Sequence, residues 1–270
     1  MKRLNILFPL LLVLLLASCA GNRAFQKLLK SSDNEQKLEA ARGYMEDKDY
    51  TRALSLLENV APYFRGTKFS HEVLFLTAKS QFGLKDFFSA AYSFESYAKL
   101  YPKDDFAEES KFMQGYCYYQ ESPDVRLDQQ MTHRAIAAFR AYLELYPEGV
   151  HAADVQKYLD ELNEKLAQKE LLSARLYFDM GIYLGNNYRA AAIAAENAIK
   201  DFPASKFRED FSILVLRAKF HQAQVSVAAK QTARYEEALE AFQNYIADFP
   251  EGKFQREARQ MHAQIVQSLK

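Results

Sequence analysis

The chain has 270 residues with 35 basic and 35 acidic side chains, so it carries no global field that would draw it to nucleic acid and no acidic excess pointing to disorder. Only 9 Gly and 7 Pro are present, about half of the roughly 12% share usual in globular chains, which argues against a turn-rich all-β fold. Trp is absent, while Tyr and Phe number 17 and 20.

The first element is an address. Lys2 and Arg3 precede an apolar run from Ile6 to Ala17, about 18 Å long as a helix and short of the roughly 30 Å hydrocarbon core. This pattern predicts a signal peptide over 1–18, not a spanning helix. The string Leu16-Ala17-Ser18-Cys19 resembles the lipobox of bacterial lipoproteins. That resemblance implies cleavage before Cys19 and acylation of its thiol, with several acyl chains anchoring the protein to a lipid bilayer. Cys117 then has no partner, so no disulfide framework is expected. Ala20 follows, and the absence of Asp there implies the outer membrane, with the protein facing the periplasm. Residues 19–32 read as a lipidated linker.

The remainder is helical in pattern and repetitive. A string of aromatic-x-x-Ala with a Pro twelve residues beyond the Ala recurs: Phe87, Ala90, Pro102; Tyr188, Ala191, Pro203; Tyr235, Ala238, Pro250. Thr132, Ala135, Pro147 is a fourth copy with Thr at the aromatic position, and Tyr50, Ala53, Arg65 is a fifth with Arg in place of Pro. Four residues past each Pro position stand Phe69, Phe106, His151, Phe207 and Phe254. Each Ala begins a helical stripe and leaves room for a partner helix, while the aromatic-Pro pair ends the helix. The small residues Ala41 and Ala78 precede Ala53 and Ala90 by twelve, whereas Gly115 and Ala218 precede Ala135 and Ala238 by twenty. Repeats three and five are therefore expected to carry about eight extra residues between their helices. The segment 151–184, with one Gly and no Pro, predicts a long helix or two abutting helices.

This is similar to the tetratricopeptide repeat, a helical hairpin that stacks into a solenoid. The expected fold is all-α: a tetratricopeptide-repeat solenoid of five helical hairpins, with repeats one to three over 33–150 and a long helical insert plus repeats four and five over 151–270. Together with the lipobox, the segment Ser122–Pro147 and the long insert, the chain resembles the BamD (ComL/YfiO) lipoproteins. The resemblance implies a scaffold of the β-barrel assembly machinery, with a BamA-like barrel subunit and unfolded outer-membrane proteins as partners. Ala194 stands where relatives often carry an arginine that contacts the barrel subunit.

No enzyme motif is present. The histidines are dispersed, and no phosphate loop or nucleophile elbow occurs among the glycines. Neither catalysis nor a cofactor beyond the lipid on Cys19 is expected. Binding should lie on the first helices, where a stripe offers Arg42, then Phe75 and Lys79, then Phe112, Tyr116 and Tyr119, suited to an extended client peptide with aromatic side chains and a carboxylate end. Arg217, Lys219, Arg256 and Arg259 suit docking on a polar partner surface. The competing reading is another tetratricopeptide-repeat lipoprotein, a cell-envelope adaptor or a glycan-uptake partner. Missing Trp and the lack of room for an N-terminal coiled coil speak against it.

Overall fold

A computed structural model describes residues 22–183 and 185–270; the signal peptide and Cys19 lie outside them. All regular structure among the described residues is helical. Helix α1 covers 22–29. Five hairpins follow: α2 (Asn34–Glu46) with α3 (Tyr50–Phe64), α4 (Ser70–Gly83) with α5 (Phe87–Leu100), α6 (Ala107–Gln120) with α7 (Gln130–Leu145), α8 (Ala152–Met180) with α9 (Asn187–Asp201), and α10 (Arg208–Gln224) with α11 (Ala228–Asp248). Helix α12 (Gln255–Ser268) comes last. From α2 to α7, and again from α9 to α12, each helix packs on its neighbours in sequence, the topology of a tetratricopeptide-repeat stack.

The chain forms two compact units, one reaching Ser122 and resuming over Gln130–Val155, the other comprising Pro123–Gln129 and Gln156–Lys270. The division falls inside α8, not ahead of it. Val155 in the first turn of α8 is fully buried, and His151 just before it stacks on Phe112 of α6 at 3.9 Å between ring centroids. The stretch read as a linker is helical from 22, and Phe25 is a core residue that meets Tyr44 edge-on at 5.9 Å.

The extra residues of repeats three and five go to different places. In repeat three they form the loop 121–129, whose Ser122-Pro123 pair breaks the helix. In repeat five the connection between α10 and α11 is short, and the extra residues lengthen helices of 17 and 21 residues. Their sequence, Ala228-Ala229-Lys230-Gln231, consists of good helix formers. The insert is one helix of 29 residues, about 43 Å long.

Small residues sit where helices touch. A β-carbon on Gly115 would lie 2.5 Å from the Phe139 ring, and one on Gly83 would collide with the Tyr50 ring. Arg65, replacing Pro, adopts φ −56° and ψ 123°, the backbone a proline would impose.

Candidate functional site

The hairpins are joined by a repeated lock. In hairpin three, Tyr142 on α7 donates its hydroxyl to Glu108 Oε1 at 2.7 Å, and the Val150 N–H ahead of α8 donates to the same oxygen at 2.7 Å. In hairpin five, Tyr245 donates to Glu209 Oε1 at 2.7 Å, and the Phe254 N–H ahead of α12 reaches that oxygen at 3.3 Å. Gly149 and Gly252 are obligatory here, because a β-carbon would collide with the glutamate and tyrosine oxygens. Elsewhere the same position carries an oxygen of its own. Thr67, Asp104 and Ser205 accept the Phe69, Phe106 and Phe207 N–H groups at 3.2, 3.1 and 3.1 Å, and Tyr97 donates to Asp104. Burial, with a hydrogen bond to a carboxylate next in weight, pushes the Tyr142 phenol up to about 12 and raises Tyr97 and Tyr245 likewise.

The first helices carry a second regularity. One basic side chain per first helix meets an acid in the first turn of the next first helix. Arg42 forks Glu72 at 2.6 and 2.7 Å; Lys79 approaches Glu109 at 3.8 Å; Arg175 meets Asp210 at 3.0 Å; Arg217 forks Glu257 at 2.6 Å through both nitrogens. The hydrogen bond to Glu72 raises the Arg42 pKa, and that to Glu257 raises Arg217. Arg42, Lys79 and Arg217, read from sequence as available to a client carboxylate or a docking partner, are already engaged in rungs between repeats.

At the third step the basic residue is replaced by Tyr116. Its ring lies parallel to Phe112 at 5.7 Å and to Tyr119 at 6.0 Å, and Phe82 approaches it at 6.0 Å. With His151 on Phe112 the rings make a row on the first-helix face of the first unit. Within that row Phe112 is 8% exposed, and Phe75 on α4 is 5% exposed. Both were expected to line an open groove but are core residues, Phe75 because it stacks on Phe106 at 4.4 Å. Tyr116, Tyr119, Phe82 and His151 are half-buried. The stripe spacing that marks Phe75 and Lys79 also marks Phe82, whereas sequence reasoning missed His151 as a member of the row, although the position four past Pro flagged it.

The C-terminal candidates separate. Lys219 turns away from Arg217 and meets Glu196 on α9 at 2.7 Å, at the edge of a 360 Å³ cavity lined by Val215, Ala241 and Tyr245. Arg256 and Arg259 stay exposed on α12, Arg259 reaching Gln255 at 3.2 Å. Ala194 packs at the edge of the second unit's core. Cys117 is fully buried, and burial pushes its thiol up to about 12, the behaviour of an inert core cysteine. No cluster of metal-binding side chains occurs among the described residues.

The model of the YfiO family, outer membrane lipoproteins, matches residues 31–204. The chain belongs to the YfiO family. The match runs from just before α2 through α9 and so includes the aromatic row, the loop 121–129 and the whole of α8. Among curated relatives, the outer membrane protein assembly factor BamD of Caulobacter vibrioides is 27% identical over 161 residues, 59% of this chain and 51% of that protein. The chain thus spans about half the length of that relative. BamD of Neisseria meningitidis and of Neisseria gonorrhoeae are each 22% identical over 85% of this chain and 89% of theirs. The crystal structure of the P58(IPK) TPR domain superposes with a TM-score of 0.39 at 15% identity, over 92% of this chain and 69% of that one. No helix among the described residues is long and apolar enough to cross a membrane.

Proposed function

We propose that this protein is an assembly factor for outer-membrane proteins, acting by binding and without catalysis. Residues 1–18 direct export, Cys19 carries the lipid, and the helical units face the periplasm from the outer membrane. The barrel subunit of the assembly machinery and unfolded outer-membrane proteins are its partners, and no cofactor beyond the lipid is needed. The observation that carries this reading is the family match across α2–α9, with relatives named as assembly factors. The aromatic row supports the client part. Half-buried parallel rings beside a scaffold of paired charges suit an extended segment bearing aromatic side chains. For the barrel subunit, the exposed Arg256 and Arg259 are the remaining candidates; rim charges of this kind steer encounter and fix register.

Affinity purification of the full chain from detergent-solubilised membranes tests the reading. A large barrel protein with periplasmic domains should co-purify, and Cys19→Ala should leave the membrane fraction unless that partner holds it. Recovery of only peptidoglycan-linked or glycan-uptake proteins would sink the proposal.

A further inference from the structure

Five residues past the repeat alanine, the second helices α3, α5 and α9 each carry a glutamate: Glu58, Glu95 and Glu196. Two of the three are neutralised. Glu95 meets Lys99 one turn on at 2.6 Å, and Glu196 meets Lys219 of the next first helix at 2.7 Å. At Glu58 both solutions are blocked. Pro62 stands one turn on, and the counterpart of Lys219 is Gln81, which accepts the Ser93 hydroxyl at 2.7 Å. Pro62 also withholds the helical N–H from the Glu58 carbonyl. Arg65, in the place of the proline of the other repeats, lies seven residues from Glu58, about 10 Å along α3. Both side chains are exposed, and neither forms a hydrogen bond or ion pair among the described residues.

The two charges border an 810 Å³ cavity between α3, α4 and α5, walled by Ala61, Pro62, Leu74 and Leu100. Leu100 is 65% exposed. In the second unit the same place is half filled. Ile199, Ser212 and Asp248 stand at the positions of Ala61, Leu74 and Leu100, and the cavity shrinks to 360 Å³. Its charges are matched within the chain, Glu196 by Lys219 and Asp248 by Arg208, each at 2.7 Å. In the first unit the counterpart of Arg208 is Ser70, whose hydroxyl lies 2.8 Å from that of Tyr101. The first unit thus holds a wider, apolar cavity between an acid and a base that the chain does not neutralise.

We propose that this cavity docks an amphipathic helix of a partner protein, one that places a basic and an acidic residue seven positions apart with apolar side chains between them. The base meets Glu58, the acid meets Arg65, and the apolar side chains enter the space that Ala61 leaves. Seven residues make about two turns on either helix, so both charge pairs form together. A partner running parallel to α3 presents the base first, and one running antiparallel presents the acid first. A helix suits the place better than an extended segment. The walls are helices, whose main-chain groups bond among themselves, and an extended segment would leave its own N–H and C=O groups unmet. The apolar contact supplies affinity and the charges fix register. The cavity shares no residue with the aromatic row, so the proposal goes beyond the assembly reading and does not depend on it.

The test uses the full lipoprotein in phosphatidylcholine nanodiscs and fluorescein-labelled, stapled helical peptides with leucines at the central positions. Their two charges, seven positions apart, are Lys/Glu in either order, Lys/Lys or Glu/Glu. Fluorescence anisotropy should show one Lys/Glu order bound about tenfold more tightly than Lys/Lys or Glu/Glu. Arg65→Glu should move the preference to Lys/Lys, and Glu58→Lys should move it to Glu/Glu, since each variant presents two like charges. Ala61→Ile, the residue found in the second unit, should weaken every peptide about tenfold by filling the cavity. All three positions are exposed, so the variants should melt near the native temperature. The proposal falls if the peptides bind the native protein alike or not at all. It falls equally if the preference does not follow the charge variants or if Ala61→Ile leaves binding unchanged. None of these outcomes touches the assembly reading, which stands or falls on the co-purified barrel protein.

Discussion

Helix α6 in the first unit and α10 in the second begin alike and end up facing different surroundings. Each places a glutamate, Glu108 or Glu209, at its second position, and each glutamate gathers a tyrosine hydroxyl and a backbone N–H of the following helix. The outward faces part company. Ten residues past the repeat alanine, the first unit exposes Tyr63, Leu100 and Leu145 at 66, 65 and 64%, while the second has Asp201 and Asp248 there, Asp248 held by Arg208 at 2.7 Å. The ladder of rungs differs in the same sense. It is broken by Tyr116 in the first unit and continuous from Arg175 to Glu257 in the second. Close packing and unmet hydrogen bonds leave few solutions at a helix junction, so the junctions repeat. A surface has no such constraint, and there the two units have acquired different chemistry.

The largest expected effect comes from breaking what they share. Glu108→Ala strips the acceptor from Tyr142, which is fully buried, and from the Val150 N–H; Glu209→Ala does the same to Tyr245 and Phe254. Each should cost about 1–3 kcal/mol, the penalty of one orphaned buried tyrosine hydroxyl, and lower the melting temperature by roughly 3–10 °C. Glu108→Gln keeps a carbonyl acceptor and should recover most of the loss. Glu109→Ala, next door but on the rung face with Lys79, should cost under about 1 kcal/mol. Thermal melts that rank Glu109→Ala level with the two lock variants would overturn this account.

The lock was only half legible from sequence. The Pro at 147 and 250 and the aromatic residues before it announce where helices end, because those residues act on their own backbone. Glu108 and Glu209 give no such signal: they serve a helix more than forty residues away, and a glutamate in a first turn reads as an ordinary solvated or dipole-stabilising charge. The stripe Arg42, Lys79, Tyr116 was visible as one face, since helical spacing alone sets it. Its chemistry was not, because the acids that neutralise Arg42 and Lys79 come from the next repeat. Phe75 and Phe112 were misplaced as groove residues for a related reason. An aromatic stripe looks the same whether it faces solvent or the junction residues Phe106 and His151.

A pH scan sharpens the comparison on a smaller scale. Burial and carboxylate contacts raise the Tyr97 and Tyr142 phenols in the first unit and Tyr245 in the second, Tyr142 to about 12. In an unfolded chain tyrosine ionises near 10. A raised folded value means stability present in full below pH 10 and lost as pH climbs through the folded value. Melting temperature should therefore fall from about pH 10 upward. Tyr245→Phe should remove the second unit's share of that fall, and Tyr97→Phe part of the first unit's. On the acid side, the Tyr97 hydroxyl leads in lowering the Asp104 carboxyl, ahead of the Phe106 N–H and His71. Its contribution is present above the unfolded carboxyl value and lost as pH drops through the folded one. Melts of Asp104→Asn should accordingly show a shallower acid limb than the native chain, and an unchanged limb would remove Asp104 from the account.

The smallest effect concerns the turns inside the hairpins. Hairpins one and two pass through Lys48 and Lys85 with φ of 59° and 61°, left-handed values that a side chain resists, whereas hairpin four uses Gly185 at φ 144°. The left-handed residue is imposed by hydrogen bonds on either side of it. The Asp49 N–H reaches back to the Tyr44 carbonyl at 2.8 Å, and the Asp86 N–H to that of Gln81 at 3.0 Å, closing the ends of α2 and α4 as a Schellman motif does. The aspartates also cap α3 and α5 by accepting the Arg52 and Ser89 N–H groups at 3.2 and 3.1 Å, so the turn cannot relax without losing two caps. Glycine carries no β-carbon to resist this conformation, which costs other residues about 1–2 kcal/mol. It loses about 0.5–1 kcal/mol of that gain to the extra freedom of the unfolded chain. Lys48→Gly and Lys85→Gly should each stabilise the protein by about 0.5–1 kcal/mol, and the double variant should gain the sum because the turns share no partner. Gly185→Ala in the second unit should move the other way. A melting temperature that falls on Lys→Gly would show that the lysine side chains contribute something to these turns beyond their backbone, and would erase the contrast drawn between the two kinds of turn.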